Sequence, residues 1–267
     1  KITEALIRAY GRFVDTLGGR YLTTTDVGTT GRDMEYIKQE TDYVVGLPTT
    51  AGGSVDTSIM TGLGLYMGMK ACAKEVWGSD SLTGKTVAMQ GFGKVASHTA
   101  HHLMKEDAKL VVTDVFEGAL DRAHDLGLMV VKSDDIYDVE CDIFSPCALG
   151  GVINPNTIPR LKCNIVAGGA NNQLLAEGDG EELNRLGIVY GPDYVLNSGG
   201  IINVESEITG EYSLERAREK TECIYEIMGR VISVSKTEGI TTAEAADRLS
   251  EDRLKSVREI RQIYRSS

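Results

Sequence analysis

At 267 residues, with 42% hydrophobic and 25% charged side chains, the chain is long enough to bury a core, as one large domain or one domain with substantial appendages. Its formal net charge of −11 repels phosphate backbones and anionic lipid, which argues against nucleic-acid and membrane-surface partners. No stretch reaches the ~18 apolar residues of a membrane span, and Lys1-Ile2-Thr3-Glu4 does not lead into a signal-peptide core, so a cytoplasmic protein is expected.

In chain order, Leu6, Ala9, Tyr10, Phe13, Val14 and Leu17 stand at helical spacing between Ile2 and Leu17, and Gly18-Gly19 ends the run. A short extended piece, Arg20-Tyr21-Leu22, leads into Thr23-Thr24-Thr25-Asp26-Val27-Gly28-Thr29-Thr30, which reads as a functional loop. Small residues and Met recur at helical spacing from Thr61 to Val76, until Trp77-Gly78-Ser79-Asp80 breaks the pattern. Then come a strand at Thr86–Gln90, a glycine turn, a helix through Lys105 and a second strand at Lys109–Asp114. Further strand-like runs lie at Met129–Val131, Ile143–Ser145, Asn164–Ala167 and Ile188–Tyr190, separated by polar or helical stretches. Such alternation predicts an α/β fold, a Rossmann-type parallel sheet wound on both faces. Beyond it Leu214, Ala217, Thr221, Ile224, Met228 and Val231 form one apolar stripe closed by Gly239. A last helix starts at Thr241 and Glu244, which have capping-box spacing, and runs to about Tyr264.

The strongest chemical signal is Gly91-x-Gly93-x-x-Ala96 between strand and helix, with Asp114 ending the next strand. Gly91 permits a tight turn, Gly93 lets backbone N–H groups of the turn approach a pyrophosphate, and Ala96 lets the helix lie close to the sheet. Asp114 is placed to accept hydrogen bonds from ribose hydroxyls and to repel a 2′-phosphate, and Phe116-Glu117 supplies no compensating cation, which favours NAD over NADP. Phe92, Lys94 and Val95 belong to the same turn; Lys94 either neutralises the pyrophosphate or points into solvent. Asp26 is the candidate for acid–base chemistry, and by residue type serves equally well as a turn-former or helix cap. His98 and His102 are four apart, yet no third ligand accompanies them, so no metal is expected. Cys147 lacks a histidine to activate it and reads as a packing residue. Cys72, Cys141, Cys163 and Cys223 bring the cysteines to an odd five without a Cys-x-x-Cys pair, which points to reduced core thiols.

With these pieces placed, the chain resembles the Glu/Leu/Phe/Val dehydrogenase family, most closely its leucine dehydrogenase branch. The resemblance runs through Gly11-Arg12-Phe13, Thr25-Asp26-Val27-Gly28-Thr29-Thr30, Gln39-Glu40-Thr41-Asp42-Tyr43-Val44, Gln90 to Ala96, Cys141 to Gly151 and Pro192 to Asn203. It implies oxidative deamination of a small apolar, branched-chain L-amino acid, with hydride passing to the nicotinamide and the imine hydrolysed to a 2-oxo acid and ammonia. It implies that Asp26 is the catalytic aspartate, working beside a lysine, and that Thr61, Ala148, Ala170, Asn171 and Asn197 line the cofactor. It also implies a side-chain pocket at Ile201 and Val204 with Thr24 close by, whose branched walls suit leucine, valine or isoleucine better than glutamate. The implied domains are 1–45, the end of a substrate-binding domain and hinge; 46–204, the NAD-binding domain; and 205–267, C-terminal helices returning to the substrate domain. A homo-oligomer is implied as well. The family's N-terminal segment bearing the catalytic lysines has no counterpart here, so the sequence is expected to be a fragment of a longer enzyme; the rival readings are a non-catalytic NAD-binding protein and a relative acting on phenylalanine or tryptophan. Asp56-Thr57-Ser58-Ile59 departs from the family's proline-flanked serine, and Lys94 from the asparagine common in the leucine branch.

Overall fold

Successive residues of the apolar runs alternate between two buried environments, and this dictates a sheet covered on both sides. In the computed structural model, which describes residues 2–26, 28–51, 53–54, 56–208 and 212–263, the strands are β1 (Thr86–Gln90), β2 (Lys109–Thr113), β3 (Met129–Val130), β4 (Ile143–Pro146), β5 (Ile165–Ala167) and β6 (Val189–Gly191). They form one six-stranded parallel sheet in the order β3-β2-β1-β4-β5-β6. The helices are α1 (Glu4–Asp15), α2 (Gly31–Lys38), α3 (Thr57–Trp77), α4 (Lys94–Lys105), α5 (Glu117–Asp125), α6 (Glu177–Arg185), α7 (Asp193–Leu196), α8 (Gly199–Ile208), α9 (Leu214–Glu222), α10 (Ile224–Glu238) and α11 (Thr242–Ile263).

The chain divides into two compact units, Lys1–Thr61 with Ser198–Glu222, and Gly62–Asn197 with Cys223–Ser267. The second unit holds the sheet. Val87 and Met89 of β1 face a layer built by Leu65 and Met69 of α3, Leu103 of α4 and Met228 of α10, whereas Ala88 faces Ile136, Ile153 and Leu183. The same alternation recurs at Leu110, Val111 and Val112 and at Ile143 and Phe144, which makes the sheet doubly wound, as expected. Strand order reverses at β1, with β2 on one side and β4 on the other, so a crevice opens at the carboxyl ends of these strands.

In the first unit α1 packs on α2 through Ile7, Met34 and Ile37, with Val44 in the same cluster, and Arg8 and Arg12 both reach Glu40. The buried stripe of α1 differs from the expected one. Ile7, Gly11 and Val14 face inward, while Leu6 and Phe13 are 57% and 60% exposed. Gly11 is part of the reason: a Cβ there would stand 3.0 Å from Glu40 Cβ and 3.2 Å from Ile37 Cα, tighter than ordinary contact, so glycine suits the close approach of the helices on that face. The C-terminal stripe also differs, being divided between α9 and α10 at Cys223 rather than lying on one helix, with Leu214 exposed. Gly239 adopts the left-handed conformation and caps α10. Thr241 and Glu244 form the expected reciprocal capping contacts, Thr241 N donating to Glu244 Oε2 at 2.7 Å and Glu244 N to Thr241 Oγ1 at 3.2 Å. The helix they start runs to Ile263, and Tyr264 lies outside the described residues. Among the described residues no helix is long and apolar enough to cross a membrane.

Candidate functional site

The glycine turn lies at the carboxyl end of β1. Gly91 has φ +98° and a Cβ there would meet Ala148 Cβ at 2.8 Å, so both its conformation and its neighbour exclude a side chain. Its N–H donates to Thr113 O at 2.8 Å, which binds the turn to β2. Asp114 then closes the turn, one carboxylate oxygen accepting from Phe92 N at 2.7 Å and the other from Phe116 N at 2.9 Å. Phe92 is buried in the core, which anchors the loop, and Gly93 is exposed at the N-cap of α4 with no atom within 4 Å of where a Cβ would stand. Open space in front of a helix N-terminus is what an anionic group requires, because the free N–H groups and the helix dipole both favour negative charge there. Lys94 is exposed at the first position of α4. Ala96 is buried, as close packing of α4 requires.

Further along the same edge, Ala170 N donates to Pro146 O at 3.0 Å, and Val95 lies against Gly169. Asn197 Nδ2 donates to Asn171 Oδ1 at 2.6 Å. Thus Gly91, Phe92, Gly93, Lys94, Val95, Asp114, Ala148, Ala170, Asn171 and Asn197 all gather at the carboxyl edge of one sheet. Two residues supporting this edge were missed from sequence. Gln173, fully buried, donates from Nε2 to Gly168 O at 2.8 Å and Ala170 O at 2.9 Å and so fixes the segment after β5. Arg122 donates to Phe92 O at 3.2 Å and to Gly118 O at 2.7 Å, placing a guanidinium on the backbone of the turn. Neither carries a motif; each depends on contacts that only the folded chain makes.

The remaining candidates lie in the first unit. Asp26 is exposed, and its carbonyl accepts from Thr29 N at 3.0 Å and from Thr29 Oγ1 at 2.8 Å, closing a turn. Val27 beside it lies outside the described residues. Capping of α2 falls instead to Thr30 and Asp33. The Tyr21 hydroxyl is held above the usual phenol range, chiefly by its hydrogen bond with Tyr10 and in smaller part by the charge of Asp26. Thr24 Oγ1 is buried without a hydrogen-bond partner, and a Cβ on Gly46 would stand 2.6 Å from it. Glu207 of α8, a third residue missed from sequence, accepts from Gly46 N and from Ser54 N, both at 2.8 Å, and ties the segment beside Thr24 to α8. On that helix Val204 is buried and Ile201 is 64% exposed. Thr61 Oγ1 donates to Thr57 O at 2.9 Å and would meet a Cβ on Gly200 at 2.7 Å, so α3 and α8 touch closely here. Asp56 accepts from Ser58 N and Ser58 Oγ at the start of α3.

Other candidates have packing partners. His102 stacks on Tyr66 at 5.2 Å, His98 lies against Gly62, and no group of three or more His, Cys, Asp or Glu among the described residues is arranged to hold a metal. Burial pushes the Cys147 thiol up, and its Sγ lies 3.4 Å from Ser145 Oγ.

Comparison with known proteins agrees with this geometry. The family model described as Glutamate/Leucine/Phenylalanine/Valine dehydrogenase matches residues 52–128 and 117–261. Leucine dehydrogenase of Geobacillus stearothermophilus is 51% identical over 262 residues, 98% of this chain and 71% of its own length. Phenylalanine dehydrogenase of Lysinibacillus sphaericus is 46% identical over 252 residues, 92% of this chain and 66% of its own. The crystal structure of L-tryptophan dehydrogenase from Nostoc punctiforme superposes with a TM-score of 0.81 at 41% identity, covering 96% of this chain and 73% of that one. With the turn, the sheet order and the matched residues in agreement, this chain belongs to the Glutamate/Leucine/Phenylalanine/Valine dehydrogenase family, whose nicotinamide cofactor the carboxyl edge of the sheet fits.

Proposed function

We propose that this chain carries the NAD-dependent oxidative deamination of a branched-chain L-amino acid, yielding the 2-oxo acid and ammonia. One observation carries the reading: a glycine turn open in front of Gly93 stands beside the Asp114 carboxylate, in a chain about half identical to leucine dehydrogenases. In this reading the N–H groups opening α4 hold the pyrophosphate, and Asp114 accepts from the ribose hydroxyls through lone pairs left over from its bonds to the turn. Its charge repels a 2′-phosphate, while Arg122 is engaged by two carbonyls. The bound nicotinamide supplies the hydride acceptor. Asp26 holds and moves the proton at the substrate amine. Ala148, Ala170, Asn171, Asn197 and Thr61 line the cofactor, and Thr24, Ile201 and Val204 the substrate side chain. Among the described residues, α8 carries no cation to hold a glutamate side chain.

The proposed functional division gives residues 1–45 chiefly to the substrate, 46–204 chiefly to NAD and 205–267 to C-terminal helices, with bounds that differ from those of the two compact units. A homo-oligomer in the cytoplasm is the proposed setting. A second reading, an aromatic substrate, is favoured by the 46% identity to a phenylalanine dehydrogenase. The test is kcat/KM on the product of the complete reading frame, with L-leucine, L-valine, L-phenylalanine and L-tryptophan, each with NAD and NADP. Branched-chain substrates with NAD should rank first; aromatic substrates ranking first would establish the second reading, and a preference for NADP would overturn the role given to Asp114.

A further inference from the structure

At the amino ends of β4 and β5, opposite the end that carries the glycine turn, the chain holds two thiols that the reaction does not use. Parallel pairing sets them side by side: Glu140 bridges Lys162, Ile143 pairs with Ile165, and Cys141 N donates to Lys162 O at 3.2 Å. Cys141 and Cys163 therefore occupy the same register position on neighbouring segments. Both are half-buried, and both side chains pack against the cluster that includes Phe144, Val166 and Ile136. Neighbouring strands stand ~4.8 Å apart, inside the ~4.4–6.8 Å span of Cα separations that a disulfide bridges.

We propose that Cys141 and Cys163 are an oxidisable dithiol that closes reversibly into a disulfide under a hydroperoxide. The two thiols are unequal. The adjoining Cys141 thiol and the backbone N–H groups of Phe144 and Ile165 hold the Cys163 thiol below its ordinary range, while the adjoining Cys163 and burial push the Cys141 thiol up. Cys163 is thus the attacking sulfur. Its thiolate takes one oxygen of hydrogen peroxide, the O–O bond breaks, hydroxide leaves, and a sulfenic acid forms. Cys141 then attacks that sulfur and gives up its proton as the S–O bond breaks; a disulfide forms and water departs. The two sulfurs together surrender two electrons to the peroxide. The other cysteines lack this arrangement: Cys72 is buried with its thiol pushed up to about 12, Cys147 faces Ser145, and Cys223 lies exposed between α9 and α10.

The experiment treats the protein with a small excess of hydrogen peroxide in a Cys223→Ser background, then unfolds it, alkylates it and maps peptides without reduction. The expected map contains a peptide pair linking Cys141 to Cys163, lighter than its two reduced components by two hydrogens, and dithiothreitol restores both alkylated peptides. Cys141→Ser should stop the reaction at a sulfenic acid on Cys163, which dimedone captures; Cys163→Ser should leave Cys141 unlabelled. Equal alkylation of both cysteines with and without peroxide, or dimedone on Cys141 in the Cys163→Ser protein, would overturn the proposal. The map of the Cys223→Ser protein decides the matter even where a further serine variant fails to fold; if the Cys223→Ser background itself fails, the same map on the unsubstituted chain decides it.

Discussion

At Asp114 one oxygen accepts from Phe92 N and the other from Phe116 N, so the carboxylate shapes the turn before any ligand arrives. Charge-assisted bonds of this kind are worth about 1.5–3 kcal/mol each. Asp114→Ala should therefore weaken NAD ~10–100-fold, by loss of turn geometry and of ribose contacts together, and should narrow the gap between NAD and NADP. Isothermal titration with each dinucleotide checks this; an unchanged NAD affinity would remove Asp114 from the site. Asp26→Asn should lower kcat by ~10²–10⁴-fold while leaving the Kd of NAD unchanged, because the residue is assigned to proton transfer and not to binding. Ile201→Ala should shift the ratio of kcat/KM between leucine and valine by ~10-fold or more if Ile201 contacts the substrate side chain. The turn was legible because each of its glycines answers a local requirement. Gln173, Arg122 and Glu207 were not, since their partners lie at carbonyls and N–H groups that sequence does not bring together.

Elements were legible where periodicity or a cap marked them. β1 lies at Thr86–Gln90, where its apolar run before the glycine turn points to a strand, and the Thr241–Glu244 box starts α11. α2 gives no strong sequence signal because it is short, and Thr30 with Asp33 caps it without a long apolar stripe behind. Of the apolar stripe that periodicity gives α1, Val14 is buried, but Leu6 and Phe13 are not, because Gly11, which periodicity does not count as apolar, shares the contact face with Ile7. Thr241→Ala removes the hydroxyl that accepts from Glu244 N and should cost about 1 kcal/mol. Thermal unfolding should register a drop of ~2–4 °C, and no change would mean that the box contributes nothing to α11. Gly91→Ala should fare worse, since the new methyl group meets Ala148 at a backbone conformation that alanine resists.

For the whole molecule, acid should be the more damaging direction of pH. Burial alone would raise the Glu106 carboxyl, but hydrogen bonds from Tyr66, Leu82 N and Lys70 outweigh it and hold it below its ordinary value. Hydrogen bonds from Arg12 and Arg8 hold Glu40 below as well, and Arg160 does so for Asp138. Carboxylates depressed in the folded state contribute stability that is present above their unfolded pKa of ~4 and is lost as pH falls through the folded values. The unfolding midpoint should thus fall as pH drops below about 4.5, and Glu106→Gln should flatten that fall; an acid limb as steep in the variant would remove Glu106 from the cause. The doubly wound parallel sheet was legible from the alternation of strands and helices, whereas the strand order and the grouping of Ser198–Glu222 with the first 61 residues rest on contacts that the sequence does not display. The most direct test of oxidative deamination is the product balance of the complete gene product with L-leucine and NAD. Equal amounts of NADH, ammonium and the 2-oxo acid are predicted. NAD binding without any of these products, for every branched-chain and aromatic substrate tried, would contradict it and leave a protein that holds the cofactor without turning over substrate.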